Sequence, residues 1–199
     1  MSRMRRVEGF AGLAAVALLV LAGCSSSDSG GTPGSSGESS SSQASPTSSP
    51  SKTLAPLRVS SPQWRDRGKL APPIACTNDA DLGHSPALSW SKGPAGTTEY
   101  AITVTDPDAN DFVHWAVLRL PVSTTSLPEG ASPNGEMPAE AEQLDNGFAQ
   151  SFYGGPCPPP GKPHHYVLTV WAIKGHPSGF ADISQDAIAS GSLTATYSR

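Results

Sequence analysis

Charge is scarce in this chain of 199 residues: Asp, Glu, Lys and Arg together make up 15% of it, and the formal net charge is −4. That composition excludes a charge-patterned coiled coil, and the slight acid excess excludes the basic footprint that binding to nucleic-acid phosphates requires. Long apolar runs are missing too. The run from Phe10 to Ala22 has 13 residues, short of the roughly 20 needed to span a bilayer as a helix, so a multi-span membrane protein is excluded. Between residues 25 and 53 there is no Val, Ile, Leu, Met, Phe, Trp or Tyr, and 14 of the 29 positions are Ser. Such a stretch has nothing to bury against the entropy of ordering it. What the chain has in abundance is Gly and Pro, 20 of each, without the triplet period of collagen.

Arg3, Arg5 and Arg6 precede the apolar run, the arrangement of an export signal. The run ends in Leu21-Ala22-Gly23-Cys24, which resembles the lipobox of bacterial lipoproteins and implies cleavage before Cys24 and acylation of its thiol. Residues 1–23 then read as a signal peptide, 24–53 as a lipidated Cys on a disordered tether, and 54–199 as one folded domain. Without residues 1–23 the balance is 10 Lys and Arg against 16 Asp and Glu, a formal charge of −6. A surface of that sign does not hold an anionic membrane, so the lipid must, at about 0.8 kcal/mol per buried methylene. The expected location is the outer side of a bacterial cell membrane. A coil of the tether's length has an r.m.s. span of about 30 Å. Asp28-Ser29-Gly30-Gly31 superficially matches a serine-protease nucleophile loop, but no folded core surrounds it to hold a base or an oxyanion hole. The remaining cysteines, Cys76 and Cys157, form an even pair in an oxidising compartment, which favours a disulfide over two free thiols. Neither carries the spacing of a zinc site.

In the domain, Pro and Gly recur about every ten residues and the segments between them alternate with period two, the pattern of a mainly β fold. Tyr100–Thr105, His114–Leu120, His165–Ile173 and Gly191–Tyr197 are the candidate strands, and His165–Ile173, the longest, is expected at the centre of its sheet. Ser184–Ser190 is the one helix candidate, with Ser184 as N-cap and Gly191 as stop. Ser132–Asn146, rich in Pro, Gly and Glu, reads as an exposed loop. Several short strands and one short helix predict a β-sandwich. On the longest strand His164 and Tyr166 share a face, about 6–7 Å apart, and His165 points the other way.

Asp106-Pro107-Asp108-Ala109, His114-Trp115, Tyr153-Gly154-Gly155-Pro156-Cys157 and His164-His165-Tyr166, with Ser85–Trp90 and Gly93–Thr97 before them, resemble the phosphatidylethanolamine-binding protein family in its bacterial Raf-kinase-inhibitor-like branch. The resemblance covers residues 63–199. It implies a Greek-key β-sandwich with a small anion-binding pocket at one end, lined by Asp106, His114, Gly154, Gly155, His164 and Tyr166 and supported by Asp108 and Pro156. It implies a phosphorylated ligand or a phospholipid headgroup as the partner, and no cofactor.

The chemistry of these residues is coherent by itself. Protonated imidazole donates twice, Tyr offers a hydroxyl, Gly lets a backbone N–H approach an anion, and Asp106 can orient an imidazole. A hydrogen bond to a charged group contributes about 1.5–3 kcal/mol, so a few of them give bare phosphate a modest affinity. The sequence departs from the family pattern at His165, where Arg is usual, at Asn110, where Pro is common, and in a longer acidic stretch, 129–142. Asn110 predicts a more open rim. Two other functions compete: a hydrolase using Asp106 or Asp108 with His114, for which no nucleophile motif is present, and a protease inhibitor acting through exposed loops. Asp106-x-Asp108-x-Asn110 also mimics the start of a calcium loop, but Asp111 stands where Gly is needed and Val117 where a carboxylate is needed.

Overall fold

Each alternating segment forms a strand in the computed structural model, which describes residues 52–199. The signal peptide, Cys24 and the tether up to residue 51 lie outside the described residues. Chain order is β1 (Ala55–Pro56), β2 (Val59–Ser60), β3 (Gly68–Lys69), β4 (Leu88–Trp90), β5 (Glu99–Asp106), β6 (Phe112–Pro121), β7 (Ser126–Leu127), α1 (Ala131–Asn134), β8 (Glu142–Gln143), β9 (His164–Ile173), α2 (Ile183–Asp186) and β10 (Ala187–Tyr197). A large sheet has the order β1-β10-β9-β5-β6-β8, with β3 also on β10, and a small sheet has the order β2-β4-β7. This is the expected mainly β sandwich, and β9 sits in the interior of its sheet between β10 and β5.

Period two separates the faces of the large sheet. Tyr100, Ile102 and Val104 of β5 and Tyr166, Leu168 and Val170 of β9 enter the core with Trp64, Leu88, Trp90 and Leu127. Ala101, Leu118 and Ile173 face the other way and pack with Ile183 and Ala187, with Leu54 and Trp171 at the edge of that cluster. Most strands run antiparallel, but β1 and β3 lie parallel to β10. The chain enters the domain beside the start of β10, where Ala55 pairs with Ala189, and Lys52 Nζ donates to the Gln185 carbonyl at 2.6 Å.

The expected helix is shortened. Only Ile183–Asp186 is helical, Ser184 is inside it rather than capping it, and from Ala187 the chain is strand. Ala187 and Ala189 are fully buried and pair with Ile173 and Ala172, so burial against β9 overrides a weak local preference. Gly191 is a mid-strand residue, not a stop: a Cβ there would collide with the Leu57 carbonyl oxygen. The expected exposed loop, Ser132–Asn146, is anchored at both ends, since Ser132 and Asn146 are buried. Ser132 Oγ accepts from Tyr153 N at 2.9 Å and donates to Gln143 Oε1 at 2.6 Å, and the same Oε1 accepts from Trp115 Nε1 at 2.8 Å.

Candidate anion site at the sandwich rim

Asp106 is the last residue of β5, and its side chain is 4% exposed. Oδ1 accepts from Asp108 N at 2.9 Å, which caps the turn Pro107–Ala109. Oδ2 accepts from His164 Nδ1 at 2.8 Å. The turn closes with Asn110 at φ 54°, a left-handed conformation that the pyrrolidine ring of Pro cannot adopt. The departure from Pro at this position therefore follows from the path of the chain.

His114 reaches the same place through a bulge. Trp115 pairs with Val104 and Val113 with Thr105, so the register steps past His114. Strict alternation would put His114 and Trp115 on opposite faces; the extra residue re-aims the imidazole. Its ring packs edge-on against Tyr166 at 5.2 Å, Phe112 at 5.0 Å and Phe148 at 5.5 Å. Nδ1 donates to the Gly154 carbonyl at 2.8 Å, which leaves Nε2 for the site. Burial pushes the imidazole pKa below its ordinary value, against the opposing pull of the Gly154 carbonyl and Asp106.

Tyr166 lies between the two imidazoles, stacked on His164 at 6.4 Å. Its residue is fully buried, and its hydroxyl makes no well-formed hydrogen bond, although the Asp106 carboxylate is near enough to act on it. Burial, then the nearby Asp106 carboxylate, drive its pKa far upward, so it stays a neutral O–H. A buried hydroxyl without a well-formed bond costs free energy unless something meets it. His164, with 22% of its side chain exposed, is where this cluster touches solvent.

The glycines act otherwise than expected. Gly154 N–H donates to the His114 carbonyl at 3.0 Å and Gly155 N–H to the Leu82 carbonyl at 2.8 Å, so neither is left for an anion. What matters is the missing side chain: a Cβ on Gly154 would stand 2.7 Å from the Phe148 ring, and one on Gly155 would stand 2.5 Å from the Ile74 carbonyl oxygen. Pro156 contributes its carbonyl, which accepts from Cys76 N at 3.0 Å. Cys76 and Cys157 are joined in a disulfide with Cα atoms 5.3 Å apart, pinning the glycine loop to the segment after β3. Asp108 does not bond to the imidazole pair or the phenol. Its Oδ2 accepts from His165 N at 2.7 Å and from His165 Nδ1 at 2.8 Å on the outer surface, and these bonds hold its carboxyl below the usual range.

Asn146 escaped the sequence reading. Its Nδ2 donates to the carbonyls of His114 and Phe152 at 3.2 and 2.8 Å, and its Oδ1 accepts from Phe148 N at 2.9 Å. It fixes the loop that carries Phe148 onto the His114 ring. The only sequence signal was an Asn-Gly pair, which by itself says turn. A cavity of about 390 Å³ beside this loop is lined by Asp79, Leu82, Phe148, Gln150 and Cys157. Among the described residues, no three His, Cys, Asp or Glu side chains are grouped to hold a metal ion.

Comparison with known proteins agrees with this fold. The phosphatidylethanolamine-binding protein family matches residues 60–198. The UPF0098 protein YbcL of Escherichia coli K12 is 45% identical over 96 residues, 45% of this chain and 52% of that protein. YbhB of the same organism is 36% identical over 129 residues, 57% of this chain and 81% of that protein. LppC of Mycobacterium tuberculosis, which is named a lipoprotein, is 32% identical over 129 residues, 63% of this chain and 60% of that protein. The match thus spans about half the length of YbcL. Among solved structures, E. coli YbcL superposes with a TM-score of 0.66 at 32% identity, covering 72% of this chain and 98% of that one. CT736 of Chlamydia trachomatis, at 24% identity and a TM-score of 0.60 over 74% of this chain and 99% of that one, shares the fold. The chain belongs to the phosphatidylethanolamine-binding protein family.

Proposed function

We propose that this chain is an exported, membrane-anchored binding protein whose rim site holds a small oxyanion, a phosphate or phosphorylated ligand, at His114, His164 and Tyr166, with Asp106 orienting His164. The observation that carries the reading is the Tyr166 hydroxyl, buried, kept neutral and packed against both imidazoles, with the Asp106 carboxylate near it but no well-formed hydrogen bond. An oxyanion oxygen would offer this O–H a better-placed acceptor. Binding rather than turnover fits the groups at hand: His114 and His164 each use Nδ1 to hold position, and no Ser or Cys is hydrogen-bonded to either imidazole among the described residues.

Titration with inorganic phosphate, followed by imidazole NMR shifts, tests this. Both His114 and His164 should respond, and Tyr166→Phe should weaken binding about tenfold, the loss of one hydrogen bond to a charged group. Silence from both imidazoles would sink the reading.

The anchor is proposed at Cys24, supported by the lipobox-like Leu21–Cys24 and by the name of LppC. No helix among the described residues is long and apolar enough to cross a membrane. Mass spectrometry of the membrane fraction should find a diacylglyceryl Cys24 at the mature N-terminus; an unmodified chain that keeps residues 1–23 would contradict it.

A further inference from the structure

The large sheet has a second face, and only half of it is covered. On the side away from Tyr166, Ala101, Leu118 and Ile173 pack with Ile183 and Ala187. Further along the same strands the outward residues change to Thr103, Thr105 and Thr169, with Trp171 between the two halves. Over this polar half lies a cavity of about 430 Å³, within the size range of small-molecule sites. One wall is the segment 180–184. That segment is fixed: Ile183 is buried in the apolar half, Ser178 Oγ donates to Asp182 Oδ2, and Lys174 N donates to the Asp186 carbonyl at 2.9 Å. Phe180 nevertheless stays 40% exposed; among the described residues, Val122 is the other large apolar side chain so placed.

The floor of the cavity offers donors. An indole N–H can only donate, so the 2.9 Å bond from Trp171 Nε1 occupies a lone pair of Thr103 Oγ1 and leaves the Thr103 proton free. Thr169 Oγ1 and Ser192 Oγ share one hydrogen bond at 2.8 Å, so one of their two protons is spare. Asp111, held at φ 55° in the turn between β5 and β6, is the one charged side chain in the lining, and it forms no ion pair among the described residues. Its carboxylate repels an anion, and spare hydroxyl protons offer a cation nothing. A ligand that accepts from Thr103, donates to Asp111 and lays C–H groups on Trp171 and Phe180 is uncharged, rich in hydroxyls and apolar on one face. A pyranose has all three properties.

We propose that the outer face of the large sheet holds a carbohydrate-binding site, in which a sugar ring packs against Trp171 and Phe180 with its hydroxyls bonded to Thr103, Thr169 and Asp111. The site is independent of the rim site, because Thr103 and Thr169 stand on the opposite face of the strands that carry Val104 and Tyr166. NMR of the indole N–H groups tests it, since Trp64, Trp90 and Trp115 are buried and Trp171 is only half-buried. Titration with the methyl pyranosides of glucose, galactose, mannose and N-acetylglucosamine, up to about 0.1 M, should shift the Trp171 signal with at least one sugar. The imidazole signals of His114 and His164 should stay in place. Phe180→Ala, which removes an exposed ring, and Asp111→Asn, which keeps the left-handed turn, should each weaken that sugar about tenfold. Inorganic phosphate should not move the Trp171 signal. Silence at Trp171 with every sugar, or full affinity in both variants, would overturn the proposal. A response to tetramethylammonium alone would overturn it too, by making the cavity a cation site.

Discussion

At the scale of single residues, the site is a set of polar groups whose partners have already been assigned, with one exception. Asp106, His164 and His114 each have their bonds; the Tyr166 hydroxyl has the Asp106 carboxylate near it but no well-formed bond. His114 also ties stability to pH. Its folded pKa lies below the ordinary 6.5, so between the two values the unfolded chain binds more protons than the folded one. Stability is then full above 6.5 and falls as pH drops through that value towards the folded pKa. The slope from one such group reaches at most about 1.4 kcal/mol per pH unit. Urea denaturation between about pH 7 and about pH 5 should show this loss, and His114→Phe, which keeps a ring among Phe112, Phe148 and Tyr166, should flatten it. An unchanged slope would mean that His114 takes up its proton equally in both states.

At the scale of elements, the long strands follow from alternation alone, because β5 and β9 have one face in the core and every second residue enters it. What alternation cannot show is an interruption. One extra residue at His114 inverts the face on which a reader would place it, and nothing in Phe112–Trp115 announces the bulge. The pairing of Asp106 with His164 was partly legible, since an Asp at a strand end and a His one strand away can meet. The role of the glycines was not, because whether an N–H is free depends on carbonyls as distant as Leu82. The same holds for Ser132, one Ser among many in the sequence, which joins α1, β8 and the segment leading to Gly154 through bonds to Gln143 and Tyr153. Ser132→Ala leaves the buried Tyr153 N–H without its acceptor and should cost about 1–3 kcal/mol. Equilibrium unfolding measures it; a change within a few tenths would show that water or a backbone shift replaces the hydroxyl.

At the scale of the whole molecule, the disulfide links residues separated by 81 positions and is the one covalent tie between the segment after β3 and the glycine loop. Closing a loop of this length stabilises a fold by about 2–5 kcal/mol. Cys157→Ser should lower the unfolding free energy by that amount, and added reductant should have the same effect on the unsubstituted domain and none on the variant. Because the Cys76 N–H also bonds to the Pro156 carbonyl, the variant should lose phosphate affinity along with stability.

The parallel pairing of β1 with β10 decides which way the molecule faces. Ala55 joins the sheet at Ala189, while His164 pairs with Tyr197 at the far end of the same strand. On β9 these two points lie opposite Ala172 and His164, about 26 Å apart along extended chain. A domain held by its N-terminal side is therefore gripped at one pole and carries His164, Tyr166 and Asp106 at the other.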